Sequence, residues 1–375
     1  MILHIANDFS GSRVYNRLIG KLSTQIDRQI VYTAIRSKDL IGKNDLHGVH
    51  NNIKVYYRYI LSNYLRINFY AKVKTIEKDI YHYLDFKDID LVHAHTWYSD
   101  GAIALSILKK HAIPYVITIR NTDINVFLKY MIHLRKIGLE ILQNAQKVIF
   151  ISEAHKRRIF NNKKLLSIIP DLEKKSFVIP NGVDSYWLNN LYDQKRHINK
   201  PITIIYVGKF DKGKNVESLI KATKYINCKS GSNIIKLRLV GGGGNKEKNI
   251  QNIISKNRDF IEFTPQVTEK EVLKKLYRTS DIFAMPSLAE TFGLVYIEAL
   301  SQGLPVIYSK GEGIDGYLDK EFGIACNPKS IRSIISALEY SIANYQLFNI
   351  DKDFLFNNFN WDKIANKYVN SIYNY

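Results

Sequence analysis

The stretch Asp281-Ile-Phe-Ala-Met-Pro-Ser-Leu-Ala-Glu290-Thr-Phe-Gly-Leu-Val-Tyr-Ile-Glu298-Ala-Leu-Ser-Gln-Gly303-Leu-Pro-Val-Ile307 decides how this chain is read. Its apolar run before Pro286 predicts a buried strand, and Leu-Pro-Val-Ile after Gly303 predicts the next. Between them, Gly293 to Gln302 predicts a helix, with Gly303 where a C-terminal cap belongs. Glu290 then lies in the loop ahead of the helix, and Glu298 about one and a half turns inside it. Both carboxylates can look into one crevice at the carboxyl end of a parallel strand, where open α/β sheets bind ligands. The backbone N–H groups of Phe292, Gly293, Leu294 and Val295 offer an anion a seat between them. Two hydroxyl-seeking carboxylates around a phosphate seat suit a nucleotide sugar better than a simple phosphate.

Outside that stretch the sequence alternates short apolar runs with helical ones. Strands are expected at Ile2–Ala6, Gln29–Ile35, Leu91–His95, Tyr115–Ile119 and Lys147–Ile151. Helices are expected at Arg13–Ile26, Asp100–Lys110, Val126–Asn144 and Glu153–Phe160. After the turn Ile179-Pro-Asn-Gly-Val-Asp184 and a polar linker at Asn189–Lys200, a second series begins at Ile202–Val207. The alternation predicts α/β architecture with parallel sheets covered on both faces. Two Rossmann-like domains facing a cleft are the simplest assembly: 1–190 together with a C-terminal helix at about 358–375, and 195–357. Trp361–Ile372 is amphipathic, with Ile364, Ala365, Tyr368 and Ile372 on one face.

A chain of 375 residues with 46% hydrophobic and 24% charged content is globular and has room for two domains. It opens on a strand-like run without a signal pattern, and no apolar run approaches the roughly 20 residues a membrane helix needs. Two distant cysteines, Cys228 and Cys326, fit a reducing compartment and exclude a zinc cluster or disulfide framework. The expected location is cytoplasmic. The formal charge of +19 points to an anionic partner or to the Lys-, Asn-, Ile- and Tyr-rich composition itself. Residues 51–76 contain no acid but hold Lys54, Arg58, Arg66, Lys72 and Lys74 among five tyrosines. The span 54–74 therefore suits an anionic membrane face or a lipid-linked acceptor. No nucleic-acid motif surrounds it, so no nucleic acid is expected as a partner.

Several loops at strand ends carry candidate chemistry. In Val207-Gly208-Lys209-Phe-Asp-Lys-Gly-Lys214, Lys209 and Lys214 can both point at an anion seated near Phe292, while Lys212 fits a solvated position. Gly208, and Gly241 at the head of four glycines, let a nucleotide approach bare backbone; a flexible turn explains the glycine run equally well. Gly11 and Ser12 at the first helix start can support a phosphate or sugar. His93 and His95 share a strand face, and a buried His93 with His95 at the cleft edge fits better than metal binding, for which they lack a third ligand. Asp88 and Asp90 fit a solvated strand entry. Arg120 ends a strand beside Asn121-Thr-Asp123, where it serves either the cleft or an ion pair with Asp123.

These residues together resemble the family-four retaining glycosyltransferases, which have the GT-B fold. The resemblance rests on Pro286-Ser287, Glu290, Phe292-Gly293, Glu298-Ala299, Gly303 and Pro305-Val306, similar to that family's E-x7-E signature. It extends to Val207–Phe210, Ile179–Asp184, Leu239–Gly243 and Phe359-Asn-Trp361. It implies that Glu298 binds the donor's ribose, Glu290 the donor sugar, and Lys214 with Lys209 the diphosphate, with no metal and no cofactor beyond a UDP- or GDP-linked sugar. The implied reaction moves a hexose, with retention, to a hydroxyl of a glycan or lipid-linked acceptor, such as a surface polysaccharide assembled at the inner face of the membrane. The implied C-terminal helix crosses back onto the first domain. Two positions depart from the pattern: Gly11-Ser12 replaces a glycine pair, and Arg120 in Val116-Ile-Thr-Ile-Arg120 replaces a histidine. An epimerase of the same fold and a non-catalytic nucleotide-sugar or nucleic-acid binder are the competing classes.

Overall fold

Short, mostly apolar runs such as Ile2–Ile5 and Tyr115–Ile119 are buried along their whole length. Only a parallel sheet covered by helices on both faces gives such strands a place. The computed structural model describes residues 1–374 apart from 195 and 199, and groups the chain into two units. The first comprises Met1–Ile151, Lys156–Asn181 and Trp361–Tyr375; the second comprises Ser152–His155 and Gly182–Asn360.

The first unit holds strands β1 (Ile2–Ile5), β2 (Gln29–Ile35), β3 (Ile53–Tyr59), β4 (Leu91–Ala94), β5 (Tyr115–Ile119), β6 (Lys147–Phe150) and β7 (Ser176–Val178). They form one parallel sheet in the order β3-β2-β1-β4-β5-β6-β7. The second unit holds β8 (Ile202–Gly208), β9 (Ile235–Gly241), β10 (Ile261–Thr264), β11 (Ile282–Ala284), β12 (Val306–Ser309) and β13 (Gly323–Cys326). Its parallel order is β10-β9-β8-β11-β12-β13. Each sheet reverses its direction of growth once, between β1 and β4 and between β8 and β11. Those reversals open a crevice beyond the carboxyl ends of the strands, the usual ligand position of a doubly wound sheet.

The alternating pattern located most of the strands but not β3, β7 or β13. β3 is an edge strand that is buried mainly at Ile53, so its tyrosines and basic residues mask the period of two. The acid-free stretch runs into a 15-residue helix, Phe69–Tyr83, capped by Asn68. The expected single helix over Val126–Asn144 is broken: a π turn at Asp123–Leu128 and a 3-10 turn at Ile132–Leu134 precede the helix Arg135–Asn144. The Phe127 ring stacks on Tyr98 at 5.0 Å, while Trp97 Nε1 donates to Gly138 O at 2.9 Å. The two halves are thus pinned to the same Trp97-Tyr98 pair, which one straight rod does not satisfy.

Asn189–Lys200, read as a linker, includes residues 195 and 199, which lie outside the described residues. Its described part is fastened to the second unit: Tyr192 N donates to Ser301 O, and Arg196 donates to Ser280 O and Gln302 O. At the other end, the helix Trp361–Tyr368 and the π turn Val369–Tyr373 belong to the first unit. Ile364, Ala365, Tyr368 and Ile372 are buried against Ile2, Leu18, Leu91 and Val116.

Candidate donor site and the polar edge of the first sheet

Lys214 follows β8 and Glu290 follows β11, so the reversal of strand order in the second sheet places them side by side. Their side chains pair at 2.5 Å, mostly out of water. Backbone ties hold both loops: Leu288 N donates to Gly213 O at 2.7 Å, and Asn215 Nδ2 donates to Pro286 O and Pro328 O. Glu290 is fixed further by Thr291 N, which donates to its Oε1, and by its own N–H, which donates to Glu312 Oε2.

The helix expected after Glu290 spans Leu294–Ser301 and starts from Gly293 without a side-chain cap. Gly293 has φ +85°, and a Cβ there would stand 2.5 Å from the Tyr296 ring. Only glycine allows the chain to turn into the helix here and leave the N–H groups of the first turn exposed. The Phe292 side chain points into the core, against Tyr317 and Phe359, so this residue offers the site backbone alone. Glu298 is half-buried inside the helix, where Tyr277 Oη donates to its Oε2 at 3.3 Å. Burial and the charge of Glu298 raise that tyrosine's pKa well above the ordinary phenol value, so it stays a proton donor.

The glycine loops close the other side. Gly208 and Gly241 are partners in the β8–β9 register, and a Cβ on Gly241 would stand 2.0 Å from Gly208 O. Tyr206 Oη donates to Lys209 O at 2.7 Å, and Phe210 N donates to Gly243 O at 3.0 Å. Lys209 and Lys212 are both exposed at this rim. In chemical terms the site offers two exposed cations at its rim, one paired cation, two carboxylates, and uncapped N–H groups around backbone stripped of side chains.

In the first unit, Gly11 closes a tight turn against Asp8, and the Ser12 Oγ accepts from Val14 N as the N-cap of the helix Arg13–Leu22. Arg120 Nε donates to His95 O at 3.2 Å, and its guanidinium sits over the Tyr15 ring at 4.6 Å. Asp123 receives the backbone N–H groups of Trp97, Tyr98 and Arg120. Burial nonetheless raises its pKa to about 6. Asp100, fully buried beside Asn7, is pushed up to about 7 by burial, against the pull of Lys72.

The expected position of His95 at an open edge is corrected: its ring, like that of His93, is buried. The β1–β4 register sets His4 opposite His93, while Tyr15 packs on His95 and Tyr368 and Tyr373 pack on His93. Gln29 Nε2 donates to Ile19 O, so its Oε1 accepts from His4 Nε2, and His4 Nδ1 then accepts from His95 Nε2 at 3.1 Å. His93 bonds Tyr373 Oη at 2.7 Å and Thr118 Oγ1 at 2.9 Å. Burial lowers the pKa of His4 to about 4 and those of His93 and His95 well below the usual value. A ligand atom from each ring lies within 4.8 Å of the others, so His4 supplies the third imidazole that the sequence reading lacked. Every ring nitrogen but His95 Nδ1 has a protein partner, which describes a neutral hydrogen-bonded network. His4 was visible only as a histidine in the first strand, because parallel register between distant strands is not written in one sequence.

Two family models match almost end to end: Glycosyltransferase Family 4 over residues 13–186 and Glycosyl transferases group 1 over residues 189–353. An uncharacterized glycosyltransferase of Methanocaldococcus jannaschii is 27% identical over 304 residues, covering 75% of this chain and 74% of its own. The alpha-monoglucosyldiacylglycerol synthase of Acholeplasma laidlawii is 25% identical over 252 residues, covering 62% and 61%. Among solved structures, Anabaena HepE in complex with UDP-glucose superposes with a TM-score of 0.66 at 17% identity, covering 99% of both chains. With two doubly wound parallel sheets and both models matched in sequence order, the chain belongs to the family-four glycosyltransferases of the GT-B fold.

Proposed function

We propose that this glycosyltransferase moves a hexose from a UDP- or GDP-linked sugar to a hydroxyl of a glycan or lipid-linked acceptor, with retention and without a metal ion. The observation that carries the reading is the Lys214–Glu290 pair at the strand-order reversal, beside a helix start that glycine keeps open. When the donor enters, Lys214 exchanges Glu290 for a diphosphate oxygen, and Glu290 is released to accept from sugar hydroxyls. Lys209 adds a second positive charge as a point cation. Glu298 accepts from the ribose. The proximity of Gly208 and Gly241 lets the nucleotide lie on bare backbone.

Cations and oriented N–H groups stabilise the charge that builds on the leaving diphosphate. The acceptor oxygen bonds to the anomeric carbon on the face from which the phosphate oxygen departs, and its proton passes to that oxygen. Arg120 stays charged at neutral pH, so it binds a hydroxyl or phosphate and does not act as a base. The UDP-glucose named with the HepE structure supports a nucleotide-sugar donor. The alpha-monoglucosyldiacylglycerol synthase among the relatives supports a lipid-linked acceptor.

The test is a screen of UDP- and GDP-sugars for thermal stabilisation, followed by hydrolysis of the best binder with and without EDTA. A bound donor at 100 times its Kd should stabilise the fold by about 2.7 kcal/mol. If no nucleotide sugar shifts the melting temperature, the reading fails. If EDTA abolishes turnover, the metal-free mechanism fails. Proton NMR of the transfer product decides retention.

A further inference from the structure

Two segments that leave the carboxyl edge of the first sheet share an unusual makeup. Residues 46–76, which include β3 and the chain leaving its carboxyl end, and residues 124–139, after β5, contain no Asp or Glu at all. The structure joins them: Phe69, at the start of the helix Phe69–Tyr83, packs edge-on against Phe127 of the π turn at 6.0 Å. In the same two segments, large apolar side chains stand in solvent. Ile67 is 86% exposed, Tyr130 67%, Tyr64 65% and Ile132 62%, and Tyr70 and Val126 are exposed as well.

A fold that hides Phe69 and Leu65 while leaving Ile67 almost bare has placed the residue outward, since a partner in the core was close at hand. Cations frame these tips. Arg66, Lys129, Arg135 and Lys136 have no ion-pair partner among the described residues, and Arg36 at the end of β2 lies near enough to Arg66 to feel its charge. Like charges held together without a carboxylate await an anion. Apolar tips framed by unpaired cations fit the interface of an anionic bilayer, where tyrosine rings and aliphatic tips enter the headgroup layer and Lys and Arg meet lipid phosphates.

We infer that the first unit seats on an anionic membrane surface through Tyr64, Ile67, Tyr70, Tyr130 and Ile132, flanked by Arg66, Lys129 and Lys136. This rests on the lipid-linked acceptor of the proposed reaction and gives it a geometry: the same carboxyl edge of the sheet faces the lipid. No helix among the described residues is long and apolar enough to cross a membrane, so the contact is a surface one.

The experiment is flotation of the full chain with vesicles of equal parts phosphatidylglycerol and phosphatidylcholine, against phosphatidylcholine alone. Binding is expected to the anionic vesicles, with loss in high salt. Arg66→Gln and Lys129→Gln should each weaken binding roughly fivefold, and the pair Ile67→Glu with Ile132→Glu should abolish it. All are surface positions, so unchanged melting temperatures keep the comparison valid. Absent flotation, or flotation indifferent to these substitutions, overturns the inference. So does sedimentation showing a dimer that the Ile67→Glu variant dissolves, because the face then belongs to a second copy. Donor-induced thermal stabilisation in the same variants separates the two readings: it survives if only the membrane inference fails, and is absent from wild type if the donor assignment is wrong.

Discussion

A carboxylate that holds a lysine in the resting site has to release it when a diphosphate arrives. In the proposed reaction Glu290 and Lys214 stand in that relation, so their substitutions differ in effect. Lys214→Ala removes charge needed on the leaving group and should cost about two orders of magnitude or more in turnover. Glu298→Ala should cost a similar factor through lost donor binding and positioning. Steady-state hydrolysis of the identified donor measures both, and near-normal rates in the pair would dismiss this site. Glu290→Ala has a second consequence, since it leaves Lys214 partly buried without its partner; a lowered melting temperature should accompany the lost activity. As candidates, Lys214 and Glu290 were legible in the sequence because each lies in a loop after a strand, and Glu298 because it follows Glu290 within the next helix. His95 was not. Its burial depends on which strand lies beside β4 and on what covers the face.

At the scale of an element, the helix Trp361–Tyr368 and its π turn pack on His93, one of three neutral imidazoles in a single network. In the unfolded chain these histidines titrate near 6.5, whereas burial holds the folded pKa of His4 near 4 and the others well down. The unfolded state then binds more protons, so the network's contribution is present above about pH 6.5 and is lost as pH falls toward 4. Asp100 and Asp123, raised to about 7 and 6, act in the opposite direction: their contribution fades as pH rises through that range. The informative quantity is therefore a difference. His93→Asn should lower stability overall and also flatten the fall in urea midpoint between pH 7 and pH 5; an unchanged slope would remove the histidines from the account. Tyr373→Phe, which breaks the bond to His93, should cost about 1 kcal/mol. The amphipathic pattern of Ile364, Ala365, Tyr368 and Ile372 announced a buried helix, but nothing local named the imidazoles beneath it.

At the scale of the whole molecule, the charge of +19 has a local component, because two acid-free segments meet at one edge of the first sheet. Sequence-independent RNA binding is not expected at physiological salt. A filter-binding titration against salt measures it, and a tight complex with a steep salt slope would move the charge from lipid to nucleic acid. What the sequence determined by itself was the class of fold and the loops and helix start that carry the proposed donor site. Period-two and helical patterns, glycines at turns, and carboxylates at fixed spacing are local properties, and local properties are written in order along a chain. What only the tertiary structure decided was proximity across long separations. It joined Lys214 to Glu290, set His4 in register with His93, and packed Phe69 against Phe127 so that two unrelated stretches became one basic, apolar edge. Such contacts follow from strand order and packing, which emerge when the whole core forms and have no signature in any single stretch.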